Sequence, residues 1–558
     1  MVETGLCGLG AQLRASLLAL IAGCAGGVDT GEPLSPPPAE PHIFVPLDTP
    51  RLLRRIRLDL HGLLPEPDDL DAVEADPTQL DEIRDRYLQD PLLEEHLVSV
   101  FSERWGTRMD QFELEYFDFH LEPPQEYEFE SSIGEEPLRL MAHIATRDLP
   151  WTEIVTADYT MANEMLAEIW PIDYPEDGEG WEVSHYTDAR PAVGVLVSNG
   201  LWWRYVTNIS NQNRSRAAII SSLFLCEDLL SRPVSLAGAV ALSDEDGTAK
   251  AIQSEPSCIA CHSTIEPLAS ALFGFWIVIS YNPLEMSQYH AEREMLGETY
   301  LGFSPGYYGQ PLQGLVDLGP AVAADPRFSR CAVRGAATDM LRRPVEIRDF
   351  STVDSLHDDF VDGGMRYSQL LRSLTELDEY RAGALTQAAS SEQLERVRTE
   401  RLIVAHQMSA LIEDLTGFVW TWEGFEQMDN DLPGYRVLAG GVDGVAVSKP
   451  QQDPGITWYL AWTRLTQAAA SHVVSEELES GQGGPFFGSL SLESRPEDNE
   501  FRAALEGIYW RLMAHRMQEE QRLELEELWT AIESLEGPAV AWASLVSVLF
   551  RDPEFVGY

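Results

Sequence analysis

Cys258-Ile259-Ala260-Cys261-His262 carries the most specific chemistry in this 558-residue chain. Two thiols one helical turn apart can each form a thioether with a haem vinyl group. The imidazole that follows them then faces the iron as its proximal ligand. Cys-x-x-Cys by itself also serves thioredoxin-like redox pairs and half-sites for zinc. The adjoining His262, together with signs of export elsewhere in the chain, points to one covalent haem c on Cys258 and Cys261. For the sixth iron position the sequence offers Met286, His290 and Met295 soon after the motif, and Met340 farther on. A methionine there would raise the reduction potential relative to a second histidine, and an open position would admit small molecules.

Export is written near the start. Ala15 to Ala22 is an apolar run too short to span a bilayer. It leads into Leu20-Ile21-Ala22-Gly23-Cys24, which resembles a bacterial lipobox, where cleavage precedes a lipidated cysteine. That implies a signal peptide over residues 1–23 and an acyl anchor on Cys24. The alternative is an ordinary signal peptide with a chance cysteine near the cut. Small residues before Cys24 and a Pro/Gly-rich stretch after it favour lipidation. Ala25, rather than Asp, after that cysteine favours the outer membrane of a Gram-negative-type bacterium. No later stretch is long and apolar enough for a transmembrane helix, so membrane contact is expected only through the lipid on Cys24.

Of the remaining cysteines, Cys7 leaves with the signal peptide, and Cys226 and Cys331 stay in an oxidising compartment. They can pair as a disulfide around the haem segment, or join Cys258 and Cys261 in a four-cysteine zinc site. The sequence leaves both open. A net charge of −52 argues against binding nucleic acid or an anionic membrane surface through the protein body. It permits steering of a basic redox partner, although acids spread along the whole chain read first as solubility. Hydrophobic residues at 44% describe a folded chain.

The elements that must position these groups read as helices. Apolar residues recur at helical spacing over Arg51–Leu60, Leu80–Trp105, Pro137–Leu149 and Ala157–Ile169, and Glu66–Glu74 has a helix-start pattern. The same holds for Arg214–Leu230, Asp325–Leu341, Leu394–Thr416 and two helices within Phe501–Phe555. Glu113–Glu130 and Gly302–Gly314 read as loops, and Asp244-Glu245-Asp246-Gly247 as a solvated turn that lacks the downstream Glu of a calcium loop. The apolar run Leu268–Ser280 reads as a wall for the porphyrin or as ordinary core. The expected fold is mainly α: a multi-domain helical protein with an embedded c-type haem-binding domain. Its parts would be a signal peptide (1–23), a tether (24–48), helical domains over 49–130 and 131–235, a cytochrome c-like haem segment (236–320), and helical domains over 321–390 and 391–558.

Several segments together resemble the secreted planctomycete-type cytochrome c proteins, a group also found in myxobacteria and described mainly as domains of unknown function. The segments are Arg54 to Leu63, Ala157-Asp158-Tyr159-Thr160 with Asn163 and Leu166, Gly194-Val195-Leu196 with the Arg214–Leu225 stretch, and Pro256 to Leu268. Phe328 with Cys331, and Met340 to Arg343, complete the order. The resemblance covers residues 50 to about 375. It implies haem c on Cys258, Cys261 and His262. The chain departs from the pattern where Glu266 replaces the usual Asp, where Ala269-Ser270-Ala271 replaces Gly-Phe-Ala, and at Gly274-Phe275-Trp276. The expected function is an envelope-anchored monohaem cytochrome lipoprotein that transfers electrons to or from an unnamed partner. The alternatives are a haem-dependent envelope enzyme or its partner subunit, peroxidase-like or oxidising an organic substrate, and a surface scaffold stapled by zinc or disulfides.

Overall fold

The computed structural model describes residues 43–229, 231, 245–275 and 282–558. The signal peptide, Cys7, Cys24, most of the tether and Asp244 lie outside the described residues. The described chain falls into two units. One joins Ile43 to Thr386–Ala388, where the Thr386 N–H donates to the Ile43 carbonyl at 2.8 Å. The other holds Phe44–Leu385 and Ala389–Tyr558. The larger unit is mainly α-helical, with short strands between helices.

Helix α1 (Thr49–His61) shows how local chemistry sets an element. Asp48 caps it by accepting from the Arg51 N–H at 3.1 Å, and Pro50 occupies the first turn. Gly62 ends it in the left-handed region at φ 68°, donating to the Leu58 carbonyl. A Cβ there would sit 2.9 Å from His96 Nδ1, so packing as well as backbone conformation favours glycine. From Leu52 to His61 every residue is buried, the charged ones included. Leu52, Leu53, Ile56 and Leu60 enter a first hydrophobic core, which also takes residues from the helices up to Tyr380. Leu58 enters a second core, built mostly from Ile403 to Tyr558. A third gathers Phe112, Phe129, Ile133, Leu166 and Trp203.

The structure revises several expected boundaries. Leu80–Trp105 is two helices, Leu80–Tyr87 and Leu92–Trp105. Much of the expected Glu113–Glu130 loop is short 3-10 turn, and from Glu126 it becomes α2 (Glu126–Thr146). Pro137 lies inside α2 instead of starting a helix. Its ring leaves the Ile133 carbonyl without an intrahelical donor, and a neighbouring helix closes on that opening. At Gly200 an added Cβ would lie 2.2 Å from Ile133 O and 2.9 Å from Pro137 Cδ. Ala157–Ile169 is not one helix. Thr160–Ala162 is a strand paired antiparallel with Glu182–Tyr186, and the helix Glu164–Ile169 follows, capped by Asn163. Gly302–Gly314 contains a small hairpin, Gly306–Tyr307 with Gln310–Pro311. The expected turn after Asp244 is a helix, Glu245–Ser254. Leu394–Thr416 divides into Ser391–Arg396 and Ala405–Thr416. The C-terminal stretch holds three long helices, Asn499–Met513, Glu519–Glu536 and Pro538–Leu549, before a last turn at Pro553–Val556. The end of the expected tether, Phe44–Pro46, pairs with Ala382–Leu385.

Three helices frame the Cys-x-x-Cys-His segment: α3 (Arg214–Leu225), α4 (Pro256–Ser270) and α5 (Pro326–Leu341), with α3 packed on both of the others. No helix among the described residues is long and apolar enough to cross a membrane.

Candidate functional site

Cys258, Cys261 and His262 all lie in the first half of α4, which Pro256 opens at its first turn. The helix is divided along its length. Ser257, Ile259 and Ala260 are exposed, whereas Ile265, Glu266, Leu268, Ala269 and Ser270 are buried. The reactive turn therefore stands at the protein surface on a helix rooted in the first core. Cys258 and Cys261 are free thiols, both half-buried. Cys261 packs against the edge of the core, and its Sγ lies 4.0 Å from the Leu229 carbonyl. Of the apolar run Leu268–Ser280, Leu268, Ala269, Ala271, Leu272, Phe273 and Phe275 are buried core, and residues 276–280 lie outside the described residues.

His262 is held from below. Its Nδ1 lies 2.6 Å from Glu266 Oε1, one turn further along the same helix face. The same oxygen accepts from Arg214 Nε at 2.6 Å. The Glu266 side chain is 0% exposed and its Oε2 has no partner among the described residues, whereas His262 is 27% exposed. Burial pushes the Glu266 carboxyl up, but the hydrogen bonds from His262 and Arg214 outweigh it and hold the group below its ordinary value. An ionised carboxylate only accepts, so His262 Nδ1 carries the proton of that bond, and Nε2 is the ring atom turned away from the carboxylate. Arg214 is steadied by its own turn, donating to the Ser210 and Asn211 carbonyls at 3.3 and 3.2 Å. Neighbouring Arg216 anchors that turn in the core through the Tyr205 and Trp202 carbonyls.

Cys226 and Cys331 form a disulfide that ties the end of α3 to α5, with Cα atoms 5.3 Å apart. The four-cysteine zinc arrangement is thereby corrected: two of its four sulfurs are bonded to each other and cannot serve as thiolates. Among the described residues no group of three or more His, Cys, Asp or Glu side chains could hold a metal ion. A cleft of about 490 Å³ lies beside the disulfide, lined in part by Leu225, Arg327, Arg334, Ile347 and Phe350. Cys258, Cys261 and His262 do not line it.

The sixth-ligand candidates occupy different settings. Met286 packs against the third core, not the one beneath Cys261. His290 is bonded on both ring nitrogens, Nε2 to the Glu285 carbonyl at 3.1 Å and Nδ1 near Glu292 at 3.3 Å. Met295 is 75% exposed, and Met340 is buried core.

The donor set fits haem c. Two thiols outside any disulfide share one turn, and an imidazole beside them has one nitrogen tied to a carboxylate and the other without a partner among the described residues. A buried carboxylate behind a ligating imidazole is the usual support for a metal-bound histidine. The sequence alone does not join Arg214 to this site. The His262–Glu266 spacing of four residues on one helix was the signal that could have exposed half of the arrangement; nothing local marks the Arg214 contact.

Fold and site thus define a mainly helical protein with a surface-mounted Cys-x-x-Cys-His helix. Over residues 68–172 the chain is similar to the family described as PSD4, protein of unknown function (DUF1592), which is the planctomycete cytochrome c-like family. That stretch includes the Ala157–Leu166 element and ends before the Cys-x-x-Cys-His helix. No curated protein and no solved structure matches the chain.

Proposed function

We propose that this chain is a monohaem c-type cytochrome, carried at the bacterial cell envelope by a lipid on Cys24 and exchanging electrons with a partner protein. The observation that supports it most is the single exposed helical turn that presents the free thiols of Cys258 and Cys261 beside a carboxylate-braced His262. Cys258 and Cys261 would hold the haem through thioethers, each thiol giving its sulfur to one vinyl carbon and its proton to the other, which requires no external oxidant. His262 would hold the iron through Nε2. Glu266 fixes the ring's tautomer and rotation, and the buried floor of Ile265, Leu268 and Ala269 excludes water from below. Haem, once bound, supplies a one-electron iron couple. The strongly acidic body favours a basic redox partner and disfavours nucleic acid. Met286, His290 and Met295 stand as sixth-ligand candidates, to be separated by single substitutions and the ferric spectrum.

The test is a spectroelectrochemical titration of the full chain purified from the membranes of a host with c-type haem maturation. A reversible one-electron couple at one haem per chain is expected, with Cys24→Ala moving the protein to the soluble fraction. Absence of any redox-active absorbance would overturn the reading. Turnover of added peroxide would move the assignment from electron carrier to envelope enzyme.

A further inference from the structure

The carboxylate behind His262 is shared. Glu266 Oε1 lies 2.6 Å from both His262 Nδ1 and Arg214 Nε, on a side chain that is 0% exposed. Arg214 is not a passing surface contact, because its guanidinium is also bonded to two carbonyls of its own turn and comes from a different helix, α3. Two opposed influences therefore act on one imidazole. The carboxylate draws on the Nδ1–H bond, makes the ring a stronger donor through Nε2, and stabilises the more highly charged ferric iron. The guanidinium on the same oxygen withdraws electron density from that bond and opposes the ferric charge through a largely buried path.

We propose that Glu266 and Arg214 form a matched pair of positioning residues that sets the reduction potential at His262, Glu266 lowering it and Arg214 partly restoring it. This rests on the haem reading above.

The experiment compares midpoint potentials of the haem-loaded full chain with those of Glu266→Gln, Glu266→Asp and Arg214→Gln at pH 8. Haem content per chain and near-ultraviolet circular dichroism are read on each sample. Glu266→Gln is expected to shift the midpoint upward and Arg214→Gln downward. Glu266→Asp should fall between wild type and the Gln variant. A support role in folding alone would not move the midpoint in opposite directions for the two partners. Wild type without haem would overturn the haem reading and this inference with it. Loaded, folded variants with unchanged midpoints, or both shifted the same way, would overturn the inference alone. Should Glu266→Gln fail to fold, Arg214, whose side chain is 23% exposed, still permits the test: an unchanged or raised midpoint in Arg214→Gln contradicts the proposal.

Discussion

The helix α1 and the first half of α4 are both dense in groups able to do chemistry, and the structure uses them in opposite ways. In α1, the charged heads are turned inward as structural ties. Arg55 donates to the Tyr380, Ala382 and Thr399 carbonyls at 2.6 to 2.8 Å, and Arg54 to the Phe555 carbonyl at 2.7 Å. Asp59 accepts from Tyr558 at 2.7 Å, from Tyr380 at 2.9 Å and from Arg401. His61 donates through Nε2 to the Tyr87 carbonyl at 2.8 Å while Arg57 meets its Nδ1. The Arg54, Arg55 and Asp59 bonds tie α1 to chain segments more than three hundred residues away, and the His61 bond ties it to the end of a nearby helix. In α4, among the described residues, Cys258 Sγ and the outer imidazole nitrogen have no such tie, Cys261 Sγ has only a long contact with the Leu229 carbonyl, and the supporting carboxylate is buried. Conspicuous chemistry in a sequence is therefore of two kinds, and what separates them is whether the tertiary structure has already consumed the donors and acceptors.

The comparison can be broken from the α1 side first. Asp59→Ala strands the buried Arg401 charge and is expected to cost about 3–5 kcal/mol of unfolding free energy, read by denaturant titration. Removing the disulfide with Cys226→Ser and Cys331→Ser together should cost about 2–4 kcal/mol in the same assay, because it frees a long loop of the unfolded chain. A third effect depends on pH. Burial, reinforced by Arg57, pushes His61 down to about 4. Its folded value lies below its unfolded one, so the unfolded chain takes the proton first as pH falls. Stability should thus decline between about pH 6.5 and 4, and His61→Gln should flatten that slope in part. His96, pushed down by burial and by His406, keeps the remainder. The smallest effect belongs to α4: Cys258→Ser or Cys261→Ser in the haem-free chain should change stability by less than about 0.5 kcal/mol. A large loss there would place those thiols among the structural ties and erase the contrast.

The mainly helical class was legible in the apolar spacing, and the expected Asp325–Leu341 stretch agrees with α5, with Asp325 as its cap. What the sequence hid was set at long range. Pro137 has the look of a helix start, and only the approach of Gly200 shows how α2 tolerates it in its interior. The strand Thr160–Ala162 is too short to declare itself without its partner Glu182–Tyr186. Cys258, Cys261 and His262 stand out as candidates by their spacing, whereas Arg214 is a helix-start arginine until the fold brings it to Glu266. The pairing of Cys226 with Cys331, left open against zinc by the sequence, depends on α3 and α5 lying side by side.

The central claim is tested most directly by a pyridine haemochrome spectrum of the full chain matured in a host with c-type haem assembly, beside the Cys258→Ala, Cys261→Ala double variant. The account predicts a c-type α-band at one haem per chain in wild type and none covalently bound in the double variant. An equally well folded wild type with no covalent haem would contradict it.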